Sequence, residues 1–161
     1  MKILGIDPGL QKTGWGIIES SDNSLTYVAS GLIKPKPKAE MSMRLATLYH
    51  ELIGIIDEQT PQESAIEETF VNKNPASALK LGQARGVLLM VPAIKGISVA
   101  EYGANKIKKS IVGSGHAAKQ QVGMMIETLL PTCGTLSEDE ADALAVAITH
   151  AHYRSLKALN V

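Results

Sequence analysis

The chain has 161 residues, of which 45% are hydrophobic and 20% charged, and this composition is typical of one soluble globular domain covering 1–161. Its 16 basic and 16 acidic side chains give zero net charge, which argues against a strongly basic nucleic-acid-binding protein. The charge is locally uneven, however, because the segment 105–109 holds three lysines. A basic face therefore remains compatible with the sequence.

Targeting and redox signals are sparse. The sequence contains no apolar run of about 18 or more residues, so we expect no membrane span and no membrane partner. The first seven residues read as a strand and not as a signal peptide. The only cysteine, Cys133, cannot form an internal disulfide, and a cytoplasmic location fits it best. A catalytic thiol is the alternative for Cys133, but its loop offers no patterned partner.

Three strands open the predicted fold as a β-meander. Each is rich in apolar residues, and Asp22 and Asn23 mark the turn between the second and third. The basic, proline-rich segment 34–38 then predicts a stiff, solvated linker, with DNA contact as the alternative. The predicted strands are 3–7, 13–19 and 26–33.

Helices and short strands alternate in the middle of the chain. Apolar residues at helical spacing predict a long amphipathic helix over 41–56, followed by a short buried strand over 64–67. Asn74 and Pro75 are typical of a helix start, as cap and first helical residue. We expect this helix to end near Met90.

The last third is predicted to be mainly helical. A strand over 96–101 precedes a short helix, a glycine-containing loop and a second helix. Ser137 and Glu140 form a capping box at the start of the final helix, which is expected to reach Tyr153. This order predicts an α/β fold, with one mixed sheet and helices on both faces. The two helices before the last are predicted over 103–110 and 117–130.

Four acidic residues are the candidate site. Asp7 and Glu67 each end a short apolar strand, and Asp139 and Asp142 are three apart on one face of the last helix. Carboxylate oxygens are the ligands that hard divalent cations prefer. If the four converge, the chemistry they favour is metal-assisted cleavage of phosphodiester bonds.

Each acid also has a structural interpretation. Asp7 could simply begin a Pro-Gly turn, and Asp139 could belong to an acidic first helical turn that favours the helix dipole. Asp142 is harder to explain in this way, because it lies in an apolar run where an unpaired charge is unfavourable. Strand parity does not decide whether Glu67 or Glu68 points into the site.

The opening segment has two possible relatives. An Asp-Pro-Gly turn followed by Thr13-Gly-Trp-Gly16 is similar to the phosphate-handling start of the sugar-kinase and actin ATPase fold. That superfamily uses two such domains, and the chain has the length of one. Further segments resemble a different family, and together they are far more specific: 6–10 with 13–16, 65–67 leading to 70–74, 77–86, 111–115 and 141–150.

On these segments the chain is similar to RuvC-type Holliday junction resolvases of the RNase H-like superfamily. The resemblance implies an RNase H-like fold with a five-stranded mixed sheet flanked by helices on both faces. It also implies an endodeoxyribonuclease that resolves four-way DNA junctions by paired symmetric nicks in recombination and repair. A related nuclease acting on RNA or other branched DNA is the alternative, and a non-catalytic junction-binding scaffold is a third.

The resemblance also assigns residues and partners. It implies that Asp7, Glu67, Asp139 and Asp142 are catalytic and bind metal, choosing Glu67 over Glu68. It further implies DNA-binding roles for a phenylalanine and two lysines, a cofactor of two Mg²⁺ per site with Mn²⁺ as a substitute, a homodimer, and a branch-migration motor as partner. The three DNA-binding residues are Phe70, Lys108 and Lys119.

Overall fold

The computed structural model describes residues 1–22, 24–69 and 74–159, with side chains to 156. Five strands form one sheet in the order β3-β2-β1-β4-β5. The strands are β1 (Lys2–Asp7), β2 (Thr13–Ser21), β3 (Ser24–Ile33), β4 (Glu63–Glu68) and β5 (Ser98–Gly103). The helices are α1 (Met41–Gln59), α2 (Pro75–Ile94), α3 (Ala104–Val112), α4 (Lys119–Leu129) and α5 (Glu138–Leu159).

Strand β1 occupies the centre of a mixed sheet. It pairs with β2 in the antiparallel sense and with β4 in the parallel sense, and β4 is in turn parallel to β5. The predicted meander of β1, β2 and β3 is present, and α1 and α2 make the crossovers that parallel strands require. The carboxyl ends of β1 and β4 therefore point the same way.

The two faces of the sheet bury separate apolar clusters. Alternation along β1 sends Ile3 to the face covered by α3, α4 and α5, and sends Leu4 and Ile6 to the face covered by α1 and α2. The predicted mixed sheet with helices on both faces is confirmed. Among the described residues, no helix combines the length and the apolarity needed to cross a membrane.

Helix α5 packs unusually close to the sheet. A β-carbon on Gly5 of β1 would collide with the backbone at Ala143 and Ala147, and one on Gly16 of β2 would collide with Leu144. Glycine on the strands and alanine on the helix thus allow the two backbones to approach. This contact fixes the position of α5 over β1 and β2.

A partly buried polar chain fastens α5 to β4 and β5. His150 Nε2 lies 2.8 Å from Glu63 Oε2, and His150 Nδ1 lies 2.9 Å from the Tyr102 hydroxyl. Arg154 Nε donates to Glu63 Oε1 at 2.9 Å. Burial alone would raise the pKa of Glu63, but these donors outweigh it and lower the pKa.

Helix α2 and strand β5 differ from the sequence prediction. Helix α2 does not end near Met90 but continues to Ile94, with Pro92 buried in its last turn. Packing of that turn compensates for the backbone donor that proline lacks. Strand β5 begins at Ser98, two residues later than predicted, because Gly96 has φ of +74° and belongs to the end of α2.

Helix α5 is longer than predicted. The capping box is present, since Ser137 Oγ lies 2.7 Å from Glu140 Oε2 and the Glu140 amide donates to Ser137 Oγ at 3.3 Å. The helix then runs past Tyr153 to Leu159. No proline or glycine follows Tyr153 to end it, so the helix continues.

Candidate active site

Two of the acids meet at the end of neighbouring parallel strands. The β1–β4 register pairs Ile6 with Ile66, so Asp7 and Glu67 follow at the same level. The two carboxyl groups are close enough that each perturbs the pKa of the other. The structure places Glu67 beside Asp7. Strand parity had left open whether Glu67 or Glu68 points into the site.

Helix α5 brings the other two acids to the same place. Gly14 of β2 lies directly under Asp139, and a β-carbon there would collide with the Asp139 carbonyl oxygen. The first turn of α5 is therefore held against the strand that pairs with β1. Asp142, one turn later, faces the strand ends. All four acids line one cavity of about 350 Å³.

Lysines surround these acids. Lys119, at the start of α4, lies 2.7 Å from Glu138 and 3.6 Å from Asp142 Oδ2. Lys108 of α3 lines the same cavity. On another side Lys12 Nζ, in the β1–β2 turn, lies 2.8 Å from Asp139 Oδ2. The cavity is thus acidic at its centre and basic at its rim.

Burial and the proximity of other carboxylates raise the pKa of three of the four acids. Burial, together with the charges of Glu67, Asp142 and Asp139, raises the pKa of Asp7 to about 8. Burial also raises the pKa of Glu67 and that of Asp142, despite the nearby Lys119. Asp7 is the one whose pKa responds to all three other acids, so it lies at the electrostatic centre of the site.

The donor set of this site fits a hard cation. Within the described ranges, no three His, Cys, Asp or Glu side chains form a ready metal-ligating group. Two of the four acids are paired with lysines instead. Thr69 Oγ1, which also lines the cavity, is buried and has no hydrogen-bond partner in the described part of the chain. Oxygen donors, clustered carboxylates and an unsatisfied hydroxyl all suit a hydrated divalent cation.

Comparison with known proteins now identifies the family. Residues 3–150 match the family described as crossover junction endodeoxyribonuclease RuvC. The relative of that description from Paramagnetospirillum magneticum is 58% identical over 154 residues, which cover 96% of this chain and 93% of the relative. The one from Bradyrhizobium diazoefficiens is 52% identical over all of this chain and 92% of its own length.

The chain belongs to the RuvC family. The solved structure of Thermus thermophilus RuvC in complex with a Holliday junction substrate matches with a TM-score of 0.90 and 29% identity, covering 98% of this chain and 96% of that one. The yeast mitochondrial Holliday junction resolvase Ydc2, at 14% identity and a TM-score of 0.64, shares the fold. The predicted family and RNase H-like fold are confirmed.

RuvC-family enzymes are metal-dependent nucleases. In this RuvC-family chain the six described candidates all line the one cavity: Asp7, Glu67, Asp139, Asp142, Lys108 and Lys119. Phe70, the predicted base-stacking residue, lies outside the described residues. Sequence reasoning did not identify Lys12 or Thr69, because neither belongs to a charged or periodic pattern.

Proposed function

We propose that this chain cleaves four-way DNA junctions as a metal-dependent endonuclease, making paired symmetric nicks. The observation that carries the proposal is the convergence of four carboxylates, from β1, β4 and α5, in one lysine-rimmed cavity. Membership of the RuvC family gives the substrate class, since its relatives are named crossover junction endodeoxyribonucleases.

The acids would hold the metal ions, with Mg²⁺ as the proposed species and Mn²⁺ as a substitute. When bound, such ions would supply an activated water and neutralise charge on the leaving oxygen. Asp7, central among the acids, would be one of the residues that hold them. Glu67 on β4 and Asp142 on α5 flank it, and Asp139 completes the set or orients water.

The lysines would act on the phosphate. Lys119 begins α4, where free backbone N–H groups and the helix dipole also favour an anion. Its ammonium group can offset charge that develops on the phosphate during cleavage. Lys108, on the neighbouring helix α3, lines the same cavity and can hold the DNA backbone beside it. Phe70 remains the proposed base-stacking residue on the grounds of the family resemblance.

Paired nicks need two active sites, and α2 offers a surface for a homodimer. Leu79, Met90 and Ile94 are 66%, 45% and 61% exposed along one side of this helix. Gly82 and Gly86 lie on the same side, and no described atom is within 4 Å of where their β-carbons would be. Glycine destabilises the interior of a helix, so two glycines on this side need another explanation. Because they carry no side chains, they would let the backbone of a second copy approach this apolar side closely.

Two further proposals remain, one from the family resemblance and one from the single cysteine. A branch-migration motor is the proposed partner of the enzyme on the junction, and the cytoplasm is its proposed location. Cys133 supports the second proposal, because it is buried and unpaired by any disulfide, as expected in a reducing compartment. Co-purification with a junction-bound motor and cell fractionation would test them.

The central test is Asp7→Asn, assayed on a mobile four-way junction, a linear duplex and a structured RNA at equal enzyme. We expect wild type with Mg²⁺ to cut the junction in symmetric pairs. The variant should lose at least about a hundredfold in rate while still binding the junction. Asp22→Asn, at the opposite end of β2, is the matched control and should cut normally.

Three outcomes would reject the proposal. Undiminished cleavage by Asp7→Asn would show that the carboxylate cluster is not catalytic. Preferred cutting of RNA or linear duplex by wild type would assign a different substrate. Junction binding without cleavage, and without Mg²⁺ uptake in calorimetry, would indicate a scaffold.

A further inference from the structure

Lys12 lies at the active site but belongs to none of the roles above. It is the last residue before β2 in the β1–β2 turn, and its ammonium group lies 2.8 Å from Asp139 Oδ2. The Lys12 side chain is 49% exposed, whereas that of Asp139 is 25% exposed. The pair therefore joins a half-exposed side chain to a carboxylate that faces the cavity.

The turn that carries Lys12 is anchored to α1. The Arg44 guanidinium of α1 donates a hydrogen bond to the carbonyl oxygen of Leu10 in this turn. Lys12, Arg44 and Lys80 are the basic residues around a small, mostly apolar cleft between this turn, α1 and α2. Two further basic groups therefore lie near Lys12, on helices other than those that carry Lys108 and Lys119.

Metal binding would remove the reason for the Lys12–Asp139 contact. An ammonium group and a divalent cation repel each other strongly at the few ångströms that one carboxylate allows between them. Asp139 cannot hold both at full strength. The long, half-exposed Lys12 side chain can turn outward into solvent near Arg44 and Lys80, where a DNA phosphate is the natural anionic partner.

We infer that Lys12 has two successive partners: Asp139 in the metal-free enzyme, and a phosphate of the junction DNA once the carboxylates hold cations. This inference rests on the proposed function and deepens it. Lys12 holds Asp139 in place before metal binds and then joins the DNA contact. Metal and DNA binding are consequently coupled through one side chain, and the coupling is reciprocal.

The test compares junction binding by wild type, Lys12→Met and Lys12→Arg across a salt series, once in EDTA and once in Ca²⁺, with gels confirming uncut DNA. Each phosphate contact adds about 0.9 to the slope of log affinity against log salt. In Ca²⁺ we expect Lys12→Met to lose about one unit of slope and Lys12→Arg to keep it. In EDTA all three should have the same slope.

A second readout is cation binding without DNA. Calorimetry should show that Lys12→Met binds Mg²⁺ about threefold to tenfold more tightly than wild type, because the competing ammonium group is gone. Lys95→Met is the matched control, since Lys95 Nζ lies 2.6 Å from Asp57 in a comparable ion pair on the far ends of α1 and α2. It should change neither readout.

Several results would overturn the inference. Equal salt slopes for wild type and Lys12→Met in Ca²⁺ would exclude the phosphate contact, even if wild type cuts junctions normally. If Lys12→Met lost the same slope in EDTA, Lys12 would contact DNA whether or not a cation is bound, and it would not exchange partners. Failure of wild type to bind the junction at all would instead remove the proposed function, and this inference with it.

Discussion

Gly14 in β2 lies directly beneath Asp139 in α5, with no room for a side chain between the strand and the helix. The contact joins the central part of the sheet to the first turn of the helix that carries two of the four acids. The placement of Asp139 is therefore set by backbone packing as much as by its ion pair with Lys12.

A single methyl group at this contact should disturb the site. Gly14→Ala would push the start of α5 away from β2, with a cost of about 1–3 kcal/mol in the free energy of unfolding. After correction for the fraction of enzyme that is folded, we expect the cleavage rate to fall at least tenfold, because Asp139 and Asp142 move relative to Asp7. Urea denaturation and single-turnover cleavage would measure the two effects.

Gly123→Ala is the control for this prediction. Gly123 lies inside α4 with no described atom within 4 Å of a β-carbon there, so alanine should be neutral or stabilising. If Gly14→Ala kept full activity and stability, the close approach of α5 would not matter for the site.

The raised pKa of Asp7 should appear in the pH dependence of stability. The ordinary pKa of an aspartate side chain is 3.8, whereas Asp7 in the folded protein has a pKa of about 8. Between these two pH values the folded state therefore holds a proton that the unfolded state lacks. Stability of the metal-free protein should therefore fall as pH rises from about 4 to 8. Asp7→Asn removes this contribution.

At pH 8 in EDTA we expect Asp7→Asn to be more stable than wild type by at least about 1 kcal/mol, and the gap should close near pH 5. Chemical denaturation at the two pH values measures it. Asp22→Asn should follow the wild-type profile. A gap that is equal at both pH values would mean that Asp7 ionises normally.

Disrupting the exposed side of α2 should separate the proposed dimer. Gly86→Glu places a charge where two helices would approach, so we expect a monomer in light scattering and loss of paired, but not of all, cleavage. Gly54→Glu is the same substitution on an exposed site of α1, and it should leave the mass unchanged. Retention of dimer mass by Gly86→Glu would place the interface elsewhere.

The Glu63–His150 contact should stabilise the fold in a defined pH range. The lowered pKa of Glu63 means that its contribution is present above its ordinary value of 4.5 and is lost as pH falls through the lower folded value. Glu63→Gln should cost about 1–3 kcal/mol at pH 7 and much less near pH 3.

The matched variant for this contact is Glu101→Gln. Glu101 also accepts from an arginine, Arg85, but its side chain is 44% exposed and the pair is on the surface. We expect Glu101→Gln to change the free energy of unfolding by no more than about 0.5 kcal/mol. Equal losses for the two variants would indicate that burial of Glu63 adds nothing.

Local patterns were sufficient to predict most of the fold. Alternating apolar residues predicted the meander, Asn74 caps α2 through hydrogen bonds to the Ala76 and Ser77 amides, and Ser137 caps α5. The errors lie at boundaries where tertiary packing overrides local preference. Pro92 is retained inside α2 because it and Val91 pack into the core, a condition that no local pattern records.

Local patterns in the sequence were also sufficient to predict part of the site. Acids at strand ends and at helical spacing are visible in the sequence, so Asp7, Asp139 and Asp142 were identifiable before their convergence was known. Choosing Glu67 over Glu68 required the family resemblance. Lys12 was missed because its contact with Asp139 spans the sheet and the last helix, and no sequence period connects the two positions.

The four acids are distributed from the first strand to the last described helix, and this has a consequence for biosynthesis. A nascent chain that has emerged from the ribosome as far as β5 carries Asp7 and Glu67 but neither Asp139 nor Asp142. It has no complete set of carboxylates, whatever cation is present. Unfinished or truncated copies should thus be harmless to DNA, and the capacity to cut arrives only when α5 docks.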